Sequence, residues 1–528
     1  MRLAALLCLA VSGVAGGEEL LPPETPAAEA IDHYIDARLR EAGVQPAAVA
    51  RDELLVRRTT LDLAGRPATV DEVRGYLAAS EEGRRQQLIE RLIQSDEFSR
   101  HQAAELDRLL MGGRGSLGDY LQAAVQENRA WDAIFRELLL AETKETAQFL
   151  KSRVSDLDKL ATEASVVFFG VNISCAQCHD HPEVPDWSQQ RFYGMKSFFS
   201  RTFDNGDFVA ERDYGVVEFK TTEGESHKAS LMFFTGQEVD EPETKEPDDK
   251  AKKEQKKRFD EFKKKKQRAP APKFSRRAKL VEVALAKENR PYLARAIVNQ
   301  MWKRFYGRGL VHPADQLHPE NEPSHPQLLD WLARDLIAHQ FDLRRLAQSL
   351  VSSNAYARSS RWSDSGPRPD DDLFAVAAVR PLTPQQYGAA LKLGSTDPEF
   401  YAPDKDEERR KRIEQLHSSA RGLAGKFEAP RDDFQISVTE ALLMSNNESI
   451  EKDLLRSSKG SLVHRLLQLE TPEQRAETAI WTVFGYAPDA DEVKPLAEYL
   501  QQREERPEDG IRQVVWALLC SGQNRFNY

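Results

Sequence analysis

Cysteine is scarce in this chain, four among 528 residues. So few cannot staple a fold, and stability must come from packed cores. Long apolar runs are also missing. Beyond the first residues no stretch approaches 18 uninterrupted apolar positions, which excludes a spanning helix from the mature chain. There is no excess of positive charge: 74 Lys and Arg face 85 Asp and Glu, a net charge of −11. That balance argues against a dedicated nucleic-acid binder. No G-x-S-x-G or H-E-x-x-H occurs, so no motif supports a peptidase or hydrolase. What is present is 40% hydrophobic content, enough for real cores, in a length that fits two to four domains.

Two of the few cysteines stand together in Ser174–Pro182, SCAQCHDHP. C-x-x-C-H is the attachment motif of a c-type haem. Cys175 and Cys178 can each form a thioether to one porphyrin vinyl group, and His179 follows where its imidazole can reach the iron. By composition such a motif arises by chance in roughly one chain in a thousand. Three other readings compete. The pair can be a redox disulfide, and the apolar run Val166–Val171, taken as a strand, would then lead into a thioredoxin-like site. The flanks lack the alternation of strands and helices that such a fold needs. Cys175, Cys178, His179 and His181 can be read as divalent-metal ligands, although no second C-x-x-C or H-x-x-x-H lies nearby. The pair can also be a purely structural disulfide.

Around the motif, Trp187, Phe192, Tyr193, Phe198 and Phe199 form either ordinary core or a wall facing the haem. Met195 is a candidate sixth ligand, against simple packing. His181 starts on the same side as His179 and is a neighbour tuning the site or an alternative ligand. His312, His318 and His325 share one proline-rich loop, where loop hydrogen bonding competes with metal binding.

Residues 1–17 read as a signal peptide: Arg2, an apolar stretch from Ala4 to Val14, then small residues. It predicts a periplasmic or secreted protein, the setting in which c-type haem is attached, and Cys8 is lost with it. Residues 18–29 are a linker. Residues 30–205 carry helical periodicity, including one helix over 120–141, and 206–237 read as a β-hairpin or meander. Residues 238–273 are a charged linker or exposed helix, and 274–528 are helical again. The fold class is therefore mainly α, two helical domains split by a small β element and a charged linker. Cys520, in an apolar run, is expected to be a buried free thiol.

Longer stretches carry a likeness. They are LLVRRTTLDLAGRPATVDEV, FFGVNISCAQCHDHPEVPDWSQQRFYGMKSFF, ARAIVNQMWKRFYGRGLVHPADQL, NEPSHPQLLDWLARDLI, FDLRRLAQSLVSSNAYARSS, RPLTPQQYGAAL and WALLCSGQNRFNY. By these the chain resembles the planctomycete cytochrome-like family of exported proteins, in which a cytochrome-like domain precedes a C-terminal domain, both of unknown function. The resemblance implies one covalent haem c on Cys175, Cys178 and His179. It also implies partners among exported redox proteins and enzymes that degrade polysaccharides and sulfate esters. The chain departs from the pattern at Glu183 after Pro182, at Gln102–Ala104 where a tryptophan is common, and at Cys520 where asparagine is usual. The function expected is electron transfer, as a mono-haem protein or subunit. The alternative is a non-redox interaction or scaffold protein whose motif binds another metal or forms a disulfide.

Overall fold

A glycine in the left-handed region or a side-chain cap sets at least one end of most helices in the computed structural model. It describes residues 20–182, 184–243, 246–362, 366–430 and 438–528. The expected signal peptide and Glu183 lie outside them. The chain is mainly α-helical. It opens with α1 (Ala27–Ala42), α2 (Asp52–Ala64), α3 (Val70–Ala78), α4 (Arg84–Ile93) and α5 (Asp96–Met111). Thr69 and Glu72 close a reciprocal capping box on α3, and Gly65 (φ 74°) ends α2. Next come α6 (Gly118–Gln126), α7 (Trp131–Leu140), α8 (Lys144–Lys151) and α9 (Leu157–Phe169). A 3₁₀ turn at Ser174–Gln177 carries Cys175 and ends at Cys178, and α10 (Gln189–Phe199) follows.

Two local expectations change. The single helix over 120–141 is two, because Asn128 takes a positive φ of 51° and the Trp131 amide donates to the Phe341 carbonyl. Tertiary anchoring overrides the helical pattern there. The run at Val166–Val171 is mostly the end of α9, stopped by Gly170 at φ 68°. No strand leads into the motif, which removes the thioredoxin-like reading.

The β elements are short antiparallel pairs: β1 (Thr202–Asn205) with β2 (Phe208–Glu211), β3 (Glu218–Lys220) with β4 (Ser226–Lys228), and β5 (Leu231–Met232) with β6 (Glu238–Val239). The lysine-rich segment is α11 (Asp249–Lys264), in which no residue is buried. It touches the body through Phe259, whose ring lies 5.0 Å from Phe203, and through the Phe259 carbonyl, which accepts from Asn205.

The C-terminal half brings α12 (Arg276–Ala284), α13 (Arg290–Tyr306), α14 (Pro326–Ala338), α15 (Leu343–Ser352) and α16 (Asn354–Ala357). Then come β7 (Arg380–Pro381), α17 (Pro384–Gly394), α18 (Asp406–Ala424), α19 (Val438–Asn446), α20 (Glu448–Leu454), α21 (Leu462–Leu467), α22 (Pro472–Phe484), α23 (Ala490–Gln501), α24 (Pro507–Leu519) and α25 (Gly522–Arg525). β8 (Phe526–Asn527) returns to pair with β7. One apolar core runs from Ala27 to Ala375, so α13–α16 pack with the N-terminal helices. A second core gathers Leu61 with residues from Leu382 to Leu519. Cys520 is free and half-buried rather than fully buried, and the desolvation it does meet raises its thiol to about 11. Among the described residues no helix is long and apolar enough to cross a membrane.

Candidate functional site

The motif sits in a loop held down at its start by the opposite half of the chain. After Gly170, Val171 bridges to Gln316, the Leu317 amide donates to the Gly170 carbonyl at 2.9 Å, and Asn172 donates to the Asp315 carboxylate at 3.1 Å. A Cβ on Gly170 would stand 3.1 Å from Leu317 Cδ1, so the left-handed turn and the close approach both require glycine. The loop that carries His312 and His318 is therefore the bed on which the motif starts. Nothing in the spacing of either segment announces this contact, which spans some 145 residues of sequence.

Cys175 and Cys178 are free and exposed, and their backbones close one turn, the Cys178 amide donating to the Cys175 carbonyl. His179 is exposed as well. Its Nδ1 lies 2.7 Å from the Asp180 carbonyl oxygen. A carbonyl only accepts, so Nδ1 carries a proton and the lone pair of the neutral ring is on Nε2. His181 turns the other way and is buried. Its Nδ1 accepts from the Val184 amide at 3.1 Å, and its own amide donates to the Trp187 carbonyl. Its ring meets Trp187 edge-on at 5.1 Å and lies 6.0 Å from His318, which also stands edge-on to Trp187. The structure thus parts the two histidines of CHDHP and joins the second to the C-terminal loop.

Met195 is completely buried in the main core. Tyr193 and Gln189, one turn apart on α10, both donate to the Gln177 carbonyl and mark the face that meets the motif. Met195 lies about 200° round the helix from Tyr193. Phe192, Phe198 and Phe199 are likewise core. The aromatic surface beside the motif comes from a place the sequence did not indicate: Phe219 on β3 stacks on Tyr193 (4.4 Å, 10°) and under His227 of β4 (5.7 Å). With Asp180, Gln189 and Glu225, Phe219 and His227 line an open groove of about 330 Å³.

The remaining histidine of the proline-rich loop stands apart. His325 precedes α14, buried against Phe374, with Nδ1 on the Ser324 hydroxyl. Burial lowers its ring to about 4 and keeps it neutral. Among the described residues no three His, Cys, Asp or Glu side chains converge as a metal-binding group.

Residues 30–204 match the family model described as a protein of unknown function, DUF1549, and residues 276–500 match the one described as a protein of unknown function, DUF1553. The chain carries both domains of this planctomycete-type pair. No curated protein and no solved structure matches it. The motif lies near the end of the DUF1549 region, and the loop that seats it belongs to the DUF1553 region. The site is a product of the pair.

Proposed function

We propose that Cys175, Cys178 and His179 are the attachment site of one c-type haem, and that the protein is an exported mono-haem electron-transfer protein or the haem-bearing subunit of a larger exported system. The observation that supports this best is the state of the donors. Both thiols are free and exposed, and His179 offers an Nε2 lone pair because Nδ1–H is held by the Asp180 carbonyl. Holding the second ring nitrogen is how proteins fix a ligating imidazole. The donors do not converge on one point, as zinc would ask; thioether sulfurs and an axial imidazole reach different parts of a porphyrin. Bound there, the haem supplies a one-electron iron couple. The chain's own residues bind it by two sulfurs, orient His179 through Asp180, and offer the Phe219–His227 face beside the motif. Full burial of Met195 away from the motif face favours packing over ligation for that residue.

The test is colour that survives denaturation. The full chain with its leader, expressed in a host that matures c-type haem, is expected to give a pyridine haemochrome and to keep its haem in denaturant. Cys175→Ser and Cys178→Ser each remove one thioether, and the double variant loses covalent haem. A colourless protein holding zinc or a Cys175–Cys178 disulfide would overturn the proposal in favour of a non-redox interaction or scaffold protein.

A further inference from the structure

A second site lies where the two domains meet, far in sequence from the cysteine motif. A cleft of about 250 Å³ opens between α5 of the first domain and α13 and β7 of the second. Both helices contribute apolar side chains to its lining, Leu106 and Leu109 from α5 and Ile297 and Met301 from α13, and charged ones beside them. Among the described residues, Arg108, Arg304 and Arg380 line the cleft with Asp62 and Glu105, an excess of one positive charge. His101 adds none, since burial first and then the Arg304 charge lower its ring to about 4.

The carboxylates are already engaged. Asp62 accepts from both terminal nitrogens of Arg380, from the Tyr356 hydroxyl and from Asn527. Glu105 is paired with Arg108 at 2.6 Å, and burial, which alone would raise it, is outweighed by Arg108 and Arg304, so it stays ionised down to about 2. Glu105 therefore cannot act as a proton-transfer group near neutral pH, and the Asp62 oxygens are taken by hydrogen bonds, so the cleft is suited to binding rather than to acid–base chemistry. One buried donor is left over. Gln102 is 2% exposed, its Oε1 accepts from Arg304, and this fixes the amide so that Nε2 is the free end. That Nε2 is buried without a hydrogen-bond partner. A buried amide left unpaired is costly in a native protein and marks a place built for an acceptor.

We propose that this cleft binds a small organic oxyanion with one apolar face. The anion is taken by the Gln102 amide and the arginines, and the apolar face lies against Leu106 and Met301. Because residues of both domains line the cleft, the ligand ties the pair together. The proposal stands whether or not the cysteine motif carries haem.

Calorimetric titration of the full-length protein with D-glucuronate and with benzoate tests it, using D-glucose and benzyl alcohol as neutral counterparts. The two anions distinguish a hydroxylated from an aromatic body. A dissociation constant on the order of 1 mM or tighter is expected for at least one of them. Gln102→Leu or Arg108→Gln should weaken it roughly tenfold or more. Arg108 is half-exposed, so that variant keeps the fold if the Gln102 variant does not. Cys175→Ser should leave the titration unchanged. Equal binding of the neutral counterparts, no saturable binding by either anion, or full affinity in Arg108→Gln would overturn the proposal.

Discussion

At the scale of single residues, the chain places charge inside and then holds it. Arg66, 1% exposed, donates to Glu97 at 2.7 and 2.9 Å and to Glu72 at 2.7 and 3.0 Å. Glu72 also completes the cap of α3, and Glu97 reaches His417 on α18 at 2.9 Å, so one guanidinium links three helices. Burial alone would raise the Glu72 carboxyl; the Arg66 charge and its hydrogen bonds prevail and hold it at about 2. A depressed carboxyl stabilises the fold above its unfolded value, near 4.5, and that share is lost as pH falls toward 2. Arg66→Ala takes the main partner from two largely buried carboxylates, leaving Glu97 with His417 and Glu72 with the longer pair to Arg91, and should cost ~3–5 kcal/mol at neutral pH. The gap from the parent protein should narrow below pH 4.5, where protonation relieves the variant and weakens the parent. Denaturant midpoints across that range check it; a gap independent of pH would show that the loss is packing. Met195→Leu is the contrasting case. As core it should cost under ~1.5 kcal/mol and leave any haem spectrum unchanged, whereas loss of a near-infrared sulfur-to-iron band would make it a ligand.

At the scale of elements, the sequence was most legible where one local rule decides. Thr69 as a cap, Gly307 as the stop of α13, the Leu462–Leu467 helix and the exposure of the lysine-rich segment all follow from neighbours within a turn or two, while the choice between linker and helix for that segment was left open. It was least legible where distant chain decides. The break at Asn128 answers to Phe341. The cysteines, His179 and His181 were visible as chemistry, but their sorting into an exposed set and a buried one was not. That sorting depends on Trp187 and His318 packing round His181, a contact made only after folding. Gly170 is the element-scale hinge of this arrangement. Gly170→Ala must adopt a positive φ and push Leu317 aside, so a loss of ~1–3 kcal/mol is expected. In the haem reading the variant should also load less haem than the parent. A thermal midpoint equal to the parent's would mean the DUF1553 loop does not seat the motif. The helix α11 makes the opposite prediction: trypsin should cut within Asp249–Lys264 first, and Phe259→Ala, which removes its ring contact with Phe203, should speed that cut.

At the scale of the whole molecule, the domains matched by family and the units defined by packing differ. The family models part the chain between residues 204 and 276. The apolar cores part it near residues 375–382, after α12–α16 have joined the N-terminal helices. Polar contacts across the family boundary reinforce the union: Arg304 donates to the Asp62 carbonyl, Arg58 to the Tyr356 carbonyl at 2.6 Å, and Arg277 to the Leu139 carbonyl. Separating residues 20–243 from the rest would expose one side of the main core and leave buried groups such as Asp62 without Arg380 and Tyr356. Such a piece should not melt cooperatively alone. A nick inside α11 is different, because it breaks one exposed helix and none of these contacts. The nicked protein should elute as one species and melt close to the intact chain, since closing a surface connection contributes little once the core is formed. Size-exclusion chromatography and a thermal melt of trypsin-nicked protein, set beside the separately expressed fragment, decide the matter. A fragment that melts as sharply as the intact chain would mean that the family boundary is also the folding boundary.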